Sequence, residues 1–386
     1  MGKIDVRGIV NNIREHRDEY DTKVNLNKVE EVETLEEEVE ETPQESIESL
    51  FTSSTKEVEE IGQVPEILPE KVDDIKAIPF PKDPEPAPGE FSILHSFGEN
   101  YCTHEYVTNP AIGRDEELQK LILVLLTPEK SAILTGKPGV GKTAIIEGLA
   151  YRIEQGAVPD ALKGYNVYNI KTAAIMGTLP NGETRLQALI DELRDKEKSI
   201  LFIDEIHMLI GATEEQSVDF ANLFKESLGR GSIKVVGATT TEEYNRYILR
   251  DKAFARRFQQ IEVDEPSRTH TIRILMGTLP KIEAQTGLKL KYSYYMQTVI
   301  MTFLVDLTSE YRRVFELGSR YPDCALTLLK QAFSYANFGN RKEVNILDVR
   351  NAVVNTQAVY PDVIKKELPR FDKTFEALIK EEGGLR

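Results

Sequence analysis

Gly136-Lys137-Pro138-Gly139-Val140-Gly141-Lys142-Thr143 lies between the apolar run Ser131-Ala132-Ile133-Leu134-Thr135 and a stretch of helical periodicity that opens near Thr143. The octet satisfies GxxxxGK[ST], and its strand-loop-helix setting is what that pattern needs in order to bind phosphate. Backbone N–H groups of the turn and of the helix N-terminus point at an anion, and glycines let the chain come close and adopt positive φ. Gly136, Pro138, Gly139, Val140, Gly141 and Ala144 are therefore expected to form the cradle. Lys142 is expected to reach the β- and γ-phosphates, and the Thr143 hydroxyl to ligate Mg²⁺.

Downstream, Ser199-Ile200-Leu201-Phe202-Ile203 is an apolar strand that ends in Asp204-Glu205. Two carboxylates at the end of a buried strand are costly unless they meet a cation or a polarised water. Asp204 suits Mg²⁺, and Glu205 suits the orientation and deprotonation of an attacking water during hydrolysis of a nucleoside triphosphate. His207 nearby reads as structural.

Working outward, Ser131–Gly136, Tyr165–Ile170, Ser199–Asp204 and Ile233–Thr239 read as buried strands separated by helical segments, a pattern that predicts a parallel sheet covered on both faces. From Pro266 onward no convincing strand is visible and every segment reads as helix. The expected parse is an α/β nucleotide-binding domain over residues 91–265, a small all-helical domain over 266–362, and a helical extension over 363–386.

Charge is distributed unevenly. Of 64 acidic and 48 basic side chains, residues 1–90 hold 25 and 10, so the remainder, with 39 and 38, is nearly neutral. Residues 29–60 are glutamate-rich and too poor in apolar groups to offset ordering entropy, which predicts a disordered acidic tail. Val29, Val32, Leu35 and Val39 nevertheless recur at helical spacing, so a short docking helix is the alternative. Prolines thicken over 64–90 into a semi-rigid spacer. Cys102 and Cys324 are too few for a disulfide framework, five scattered histidines discourage a zinc site, and no run is long enough to span a bilayer. With no signal-peptide centre at the start, a cytoplasmic setting is expected.

The loop GKPGVGKT, the strands ILFIDEIH and IKVVGATTTEEY, and DKAFARRFQQIEV occur in the order of AAA+ ATPases. AIGRDEELQKLI, GLAYRIEQGAVPDALKG, RYPDCALTLLKQA and VNILDVRNAV extend the likeness, so that residues 105–360 resemble the first nucleotide-binding module of the Clp-type protein unfoldases and disaggregases. The resemblance implies ATP and Mg²⁺ as ligands, with the helical part as the AAA+ lid. It implies Ile112 and Gly113 near the adenine, Thr240 as the polar sensor of the γ-phosphate and attacking water, and Pro322, within Arg320-Tyr321-Pro322-Asp323, where the lid approaches the base. Arg256 and Arg257 match the arginine-finger pair that reaches a neighbouring subunit's nucleotide, which implies a homo-oligomeric ring, by family norm a hexamer. Cys324 stands where relatives usually carry lysine.

The sequence also departs from that family. Residues 174–183, where unfoldases carry a substrate-gripping aromatic, hold none; Met176 and Leu179 are the apolar candidates there. No N-terminal repeat domain, coiled-coil insertion, second ATPase module or peptidase-docking loop is legible, so partnership with a peptidase chamber is disfavoured. Three function classes follow: a remodeller that meets its protein client or adaptor through the acidic tail, a DNA-transaction ATPase such as a helicase or clamp loader, and a nucleotide-switched scaffold. The absence of a basic footprint disfavours nucleic acid.

Overall fold

The structure, a computed structural model, describes residues 92–180, 182–196, 198–210, 233–315, 318 and 320–383, with the side chains of Ala253 and Phe254 left out. The acidic, proline-rich segment 1–90 and its candidate docking helix lie outside the described residues. Strands β1 (Gly98–Asn100), β2 (Ser131–Thr135), β3 (Asn166–Ile170), β4 (Ser199–Ile203), β5 (Lys234–Thr239) and β6 (Phe258–Glu262) form one sheet in the order β1-β3-β4-β5-β2-β6. All neighbours run parallel except β1, which pairs antiparallel with β3 through Gly98 opposite Ile170.

Strands β2 and β4 are buried at every residue, as continuous apolar runs must be when both faces of a sheet are covered. One face packs helices α1 (Asp115–Leu126) and α2 (Lys142–Glu154), bringing Leu118, Leu121, Ile145 and Leu149 against Leu134 and Phe202. The other packs α3 (Arg185–Asp195), whose Leu186, Leu189, Ile190 and Leu193 meet Ile133, Leu201 and Tyr168. Both edges escaped the sequence reading. Short, polar β1 and the half-exposed Phe258-Gln259-Gln260-Ile261-Glu262 of β6 lack the apolar density that marks a buried strand.

The C-terminal part contains α4 (Arg268–Thr286), β7 (Lys289–Leu290), α5 (Tyr294–Leu307), α6 (Asp323–Phe338), β8 (Glu343–Val344), α7 (Ile346–Val354), α8 (Pro361–Thr374) and α9 (Glu376–Glu381). It is thus not all-helical: β7 and β8 pair in parallel, Lys289 opposite Glu343 and Leu290 opposite Val344. A two-residue strand has no periodicity to read. The terminal helices are not appended loosely either. Phe371 on α8 and Phe375 just beyond it are fully buried and meet Phe303 of α5 edge to face at centroid distances of 5.0 and 6.1 Å. Arg350 of α7 makes a bidentate pair with Asp372, at 2.6 and 2.9 Å. Replacing Phe371 by Ala is expected to cost about 3–5 kcal/mol through the cavity it leaves. Chemical denaturation of the full chain measures this, and an unchanged midpoint would show that α8 contributes nothing to the helical part. Among the described residues no helix is long and apolar enough to cross a membrane.

Candidate functional site

The phosphate loop leaves the C-terminal end of β2, between β5 and β6, where an open parallel sheet offers its binding crevice. Gly141, with φ of 102°, caps α2 directly, and Gly139 has φ of 76°. A Cβ on Gly139 would stand 2.8 Å from the Asp323 Cβ, so glycine here serves both the turn and the close approach of α6. Lys142 folds back over the loop and donates to the carbonyls of Gly136 (2.8 Å) and Lys137 (3.2 Å). Burial lowers its pKa, while Asp204 and Glu243 pull it back up. A half-buried ammonium held only by loop carbonyls and distant carboxylates is poised to exchange them for an anion. Val140 faces the core, and its carbonyl accepts from buried Arg114 at 2.7 Å, which also donates to Asp264 O at 3.0 Å. Arg114 thereby staples the loop to α1 and to the exit of β6.

At the end of β4, Asp204 and Glu205 are exposed while Ile206 is buried. Glu205 sits at φ of 52°, a left-handed backbone that costs a glutamate about 1 kcal/mol or more and tends to survive where function requires it. Three bonds hold it there. Asp204 Oδ1 accepts from Glu205 N at 3.0 Å, Asp204 O accepts from the Thr172 hydroxyl at 2.8 Å, and Ile206 N donates to Ala238 O at 3.1 Å. Thr240, immediately after β5, caps the short helix Thr241–Glu243, its hydroxyl accepting from Glu243 N.

These groups face one cleft of about 690 Å³ between the α/β and helical parts, a volume typical of small-molecule sites. Pro138, Gly139, Gly141, Lys142, Thr143, Ala144, Asp204, Glu205, Thr240 and Pro322 all line it, so ten of the residues singled out from sequence converge. Ile112, Gly113, Gly136 and Val140 do not. Ile112 packs its Cδ1 over Gly277 of α4, 2.3 Å from where a Cβ would be, beside the cleft-lining Thr278. Thr108, Asn109 and Pro110, just upstream, take the wall assigned to it. The sequence reading also missed the helical contribution of Ile274, Thr278, Lys281, Ile282, Leu326 and Lys330. Lys281 crosses to Glu147 of α2 at 3.5 Å. No motif marks these residues; only the docking of α4 and α6 does. That docking is set by Glu265, which accepts from both terminal guanidinium nitrogens of Arg313, at 2.6 and 3.1 Å, and from the N–H of Tyr321 at 2.9 Å.

Arg256 and Arg257 lie elsewhere. Arg257 O accepts from Ser131 N at 3.0 Å and Arg256 O from Lys130 Nζ at 2.5 Å, so the pair sits at the start of β2. The length of β2 alone, about 13 Å, then separates it from the phosphate loop of the same chain. In the stretch without an aromatic, Met176 is exposed, whereas Leu179 packs against the core.

Residues 132–262 match the sequence model of the ATPase family associated with various cellular activities, AAA. This α/β unit is an AAA domain. The chain is 36% identical over 315 residues to the chaperone protein ClpB of Aquifex aeolicus, covering 77% of this chain and 30% of that protein. It is 41% identical over 229 residues to the chloroplastic chaperone protein ClpB3 of Arabidopsis thaliana, covering 57% and 23%. A Saccharomyces cerevisiae Hsp104:casein complex in an extended conformation superposes with a TM-score of 0.57 at 33% identity, covering 68% of this chain and 45% of that one. The chain thus spans less than a third of the length of either of these two proteins.

Proposed function

We propose that this chain hydrolyses Mg·ATP within a ring of identical subunits, six by family norm, and applies the cycle to remodelling a protein client. One observation carries the reading: phosphate loop, acidic pair and Thr240 share a single cleft, while the arginine pair stands at the opposite end of β2. Each cleft is then completed by a neighbour's arginines, and a heterologous contact of this kind makes a ring when its rotation closes. Loop N–H groups and Lys142 hold the phosphates, Glu205 orients the water and takes its proton, Thr240 fixes the water against the γ-phosphate, and Arg256 with Arg257 meets charge on the equatorial oxygens from the next subunit. The Thr143 hydroxyl and Asp204 line the same wall, an all-oxygen donor set that suits Mg²⁺. When bound, that ion would neutralise the β- and γ-oxygens. Both cysteines are free and buried, which accords with a cytoplasmic setting.

The likeness to ClpB and to casein-bound Hsp104 favours a protein client over nucleic acid. Turnover of Mg·ATP by the full chain is expected to rise several-fold with unfolded casein and to stay unchanged with single-stranded DNA. Stimulation by DNA and not by casein would replace remodelling with a DNA transaction.

A further inference from the structure

Glu243, Thr239 and His207 belong to three elements: the helix Thr241–Glu243, the end of β5, and the short helix His207–Ile210 that follows the acidic pair. One oxygen, Glu243 Oε2, gathers them. It accepts from the Thr239 hydroxyl at 2.9 Å and from Thr240 N at 3.0 Å, and His207 Nδ1 lies 3.2 Å away. His207 Nδ1 is also 3.0 Å from Thr239 Oγ1. With the Thr239 hydroxyl donating to Glu243, the tautomer that completes the network places the histidine proton on Nδ1, facing two acceptor oxygens. The ring is held from its other side by a stack on Tyr247, with centroids 5.9 Å apart and planes at 23°.

A capping box explains only part of this arrangement. Reciprocal bonds between Thr240 and Glu243 would suffice to start the helix, yet Glu243 reaches further, to buried Thr239 and across to His207. Burial works against its ionisation, but the bonds it accepts from the Thr240 N–H and the Thr239 hydroxyl help hold the carboxyl below its ordinary range. It therefore lines the cleft as a negative charge whose field reaches Lys142.

We propose that Glu243 is a positioning residue for hydrolysis, tying the segment that carries Asp204 and Glu205 to the strand end that carries Thr240. Through His207 it fixes the water-activating carboxylate, and through Thr239 and the Thr240 N–H it fixes the sensor, so that both address the same water. This rests on the nucleotide reading above. A misplacement of about 1 Å between such groups costs on the order of a hundredfold in rate.

The test uses the full chain, with ATP turnover, affinity for a fluorescent ATP analogue and thermal midpoint measured together. Glu243→Ala is expected to lower kcat about a hundredfold while nucleotide affinity stays close to wild type. Glu243→Gln keeps an acceptor oxygen for Thr239 and Thr240 and should recover most of that rate. His207→Phe keeps the stack on Tyr247 but removes Nδ1; its loss should be smaller and should not add to that of Glu243→Ala, since both break one tie. Unchanged kcat in Glu243→Ala, or a fall matched by lost affinity and lost fold in both Glu243 variants, would reduce the residue to a helix cap. Wild-type protein run alongside separates the failures: if it binds no Mg·ATP, the nucleotide reading falls and the tie with it, whereas active wild type with an indifferent Glu243→Ala removes the tie alone.

Discussion

Glu205→Gln is expected to bind Mg·ATP as tightly as wild type and to hydrolyse it about 10²–10⁴-fold more slowly, the usual worth of a positioned general base. Its carboxylate is exposed at the wall of the cleft, at the end of β4 and on a left-handed backbone. The amide keeps that backbone and its size, and removes only the ability to take a proton. Single-turnover hydrolysis beside equilibrium nucleotide binding measures both halves of the expectation. Normal turnover would take Glu205 out of the chemistry and leave its strained φ unexplained; lost binding would mean that the substitution disturbed the loop.

Arg256→Ala is expected to leave nucleotide binding intact and to slow hydrolysis about 10³–10⁵-fold, the range for an arginine supplied to a phosphoryl-transfer transition state from another subunit. The argument is one of position. Arg256 is exposed and its own cleft lies beyond the far end of β2, which is where a guanidinium offered to a neighbour's cleft would stand. Mixing makes this decisive. Lys142→Ala subunits lack a working cradle but keep their arginines, and Arg256→Ala subunits have the reverse defect. Where the arginine of the former meets the cleft of the latter, a complete site forms, so mixed rings should hydrolyse ATP well above either variant alone. Mixtures as inactive as their components, at concentrations where rings are seen by mass photometry, would rule out supply from the neighbour.

Much of the site was legible because its chemistry is local. A run such as Gly139-Val140-Gly141-Lys142-Thr143 needs particular backbone angles and particular side chains within a few residues, and Asp204-Glu205 marks itself by placing charge at the end of an apolar strand. Ile112 shows where local reading stops. Its side chain packs on the bare surface of Gly277, 165 positions away in the chain, a partner that no local pattern names. Lys281 and Lys330 carry no pattern at all, because a lysine on an amphipathic helix reads the same whether it faces open water or lines a cleft. Among the helices, Phe371 and Phe375 looked like part of an appended segment, since burial of a helix face depends on what arrives opposite it.

The amino-acid order by itself determined the phosphate loop, the acidic pair, the alternation of buried strands with helices and hence a parallel sheet, because each is written in contacts or periodicities spanning a handful of residues. Only the tertiary structure decided that the helical part closes the cleft through Glu265 and Arg313, that Glu243 gathers Thr239, Thr240 and His207 on one oxygen, and that the arginine pair stands at the start of β2, at the other end of that strand from the phosphate loop. Those facts depend on which distant segments meet, and packing between elements leaves no mark on the spacing of residues within any one of them.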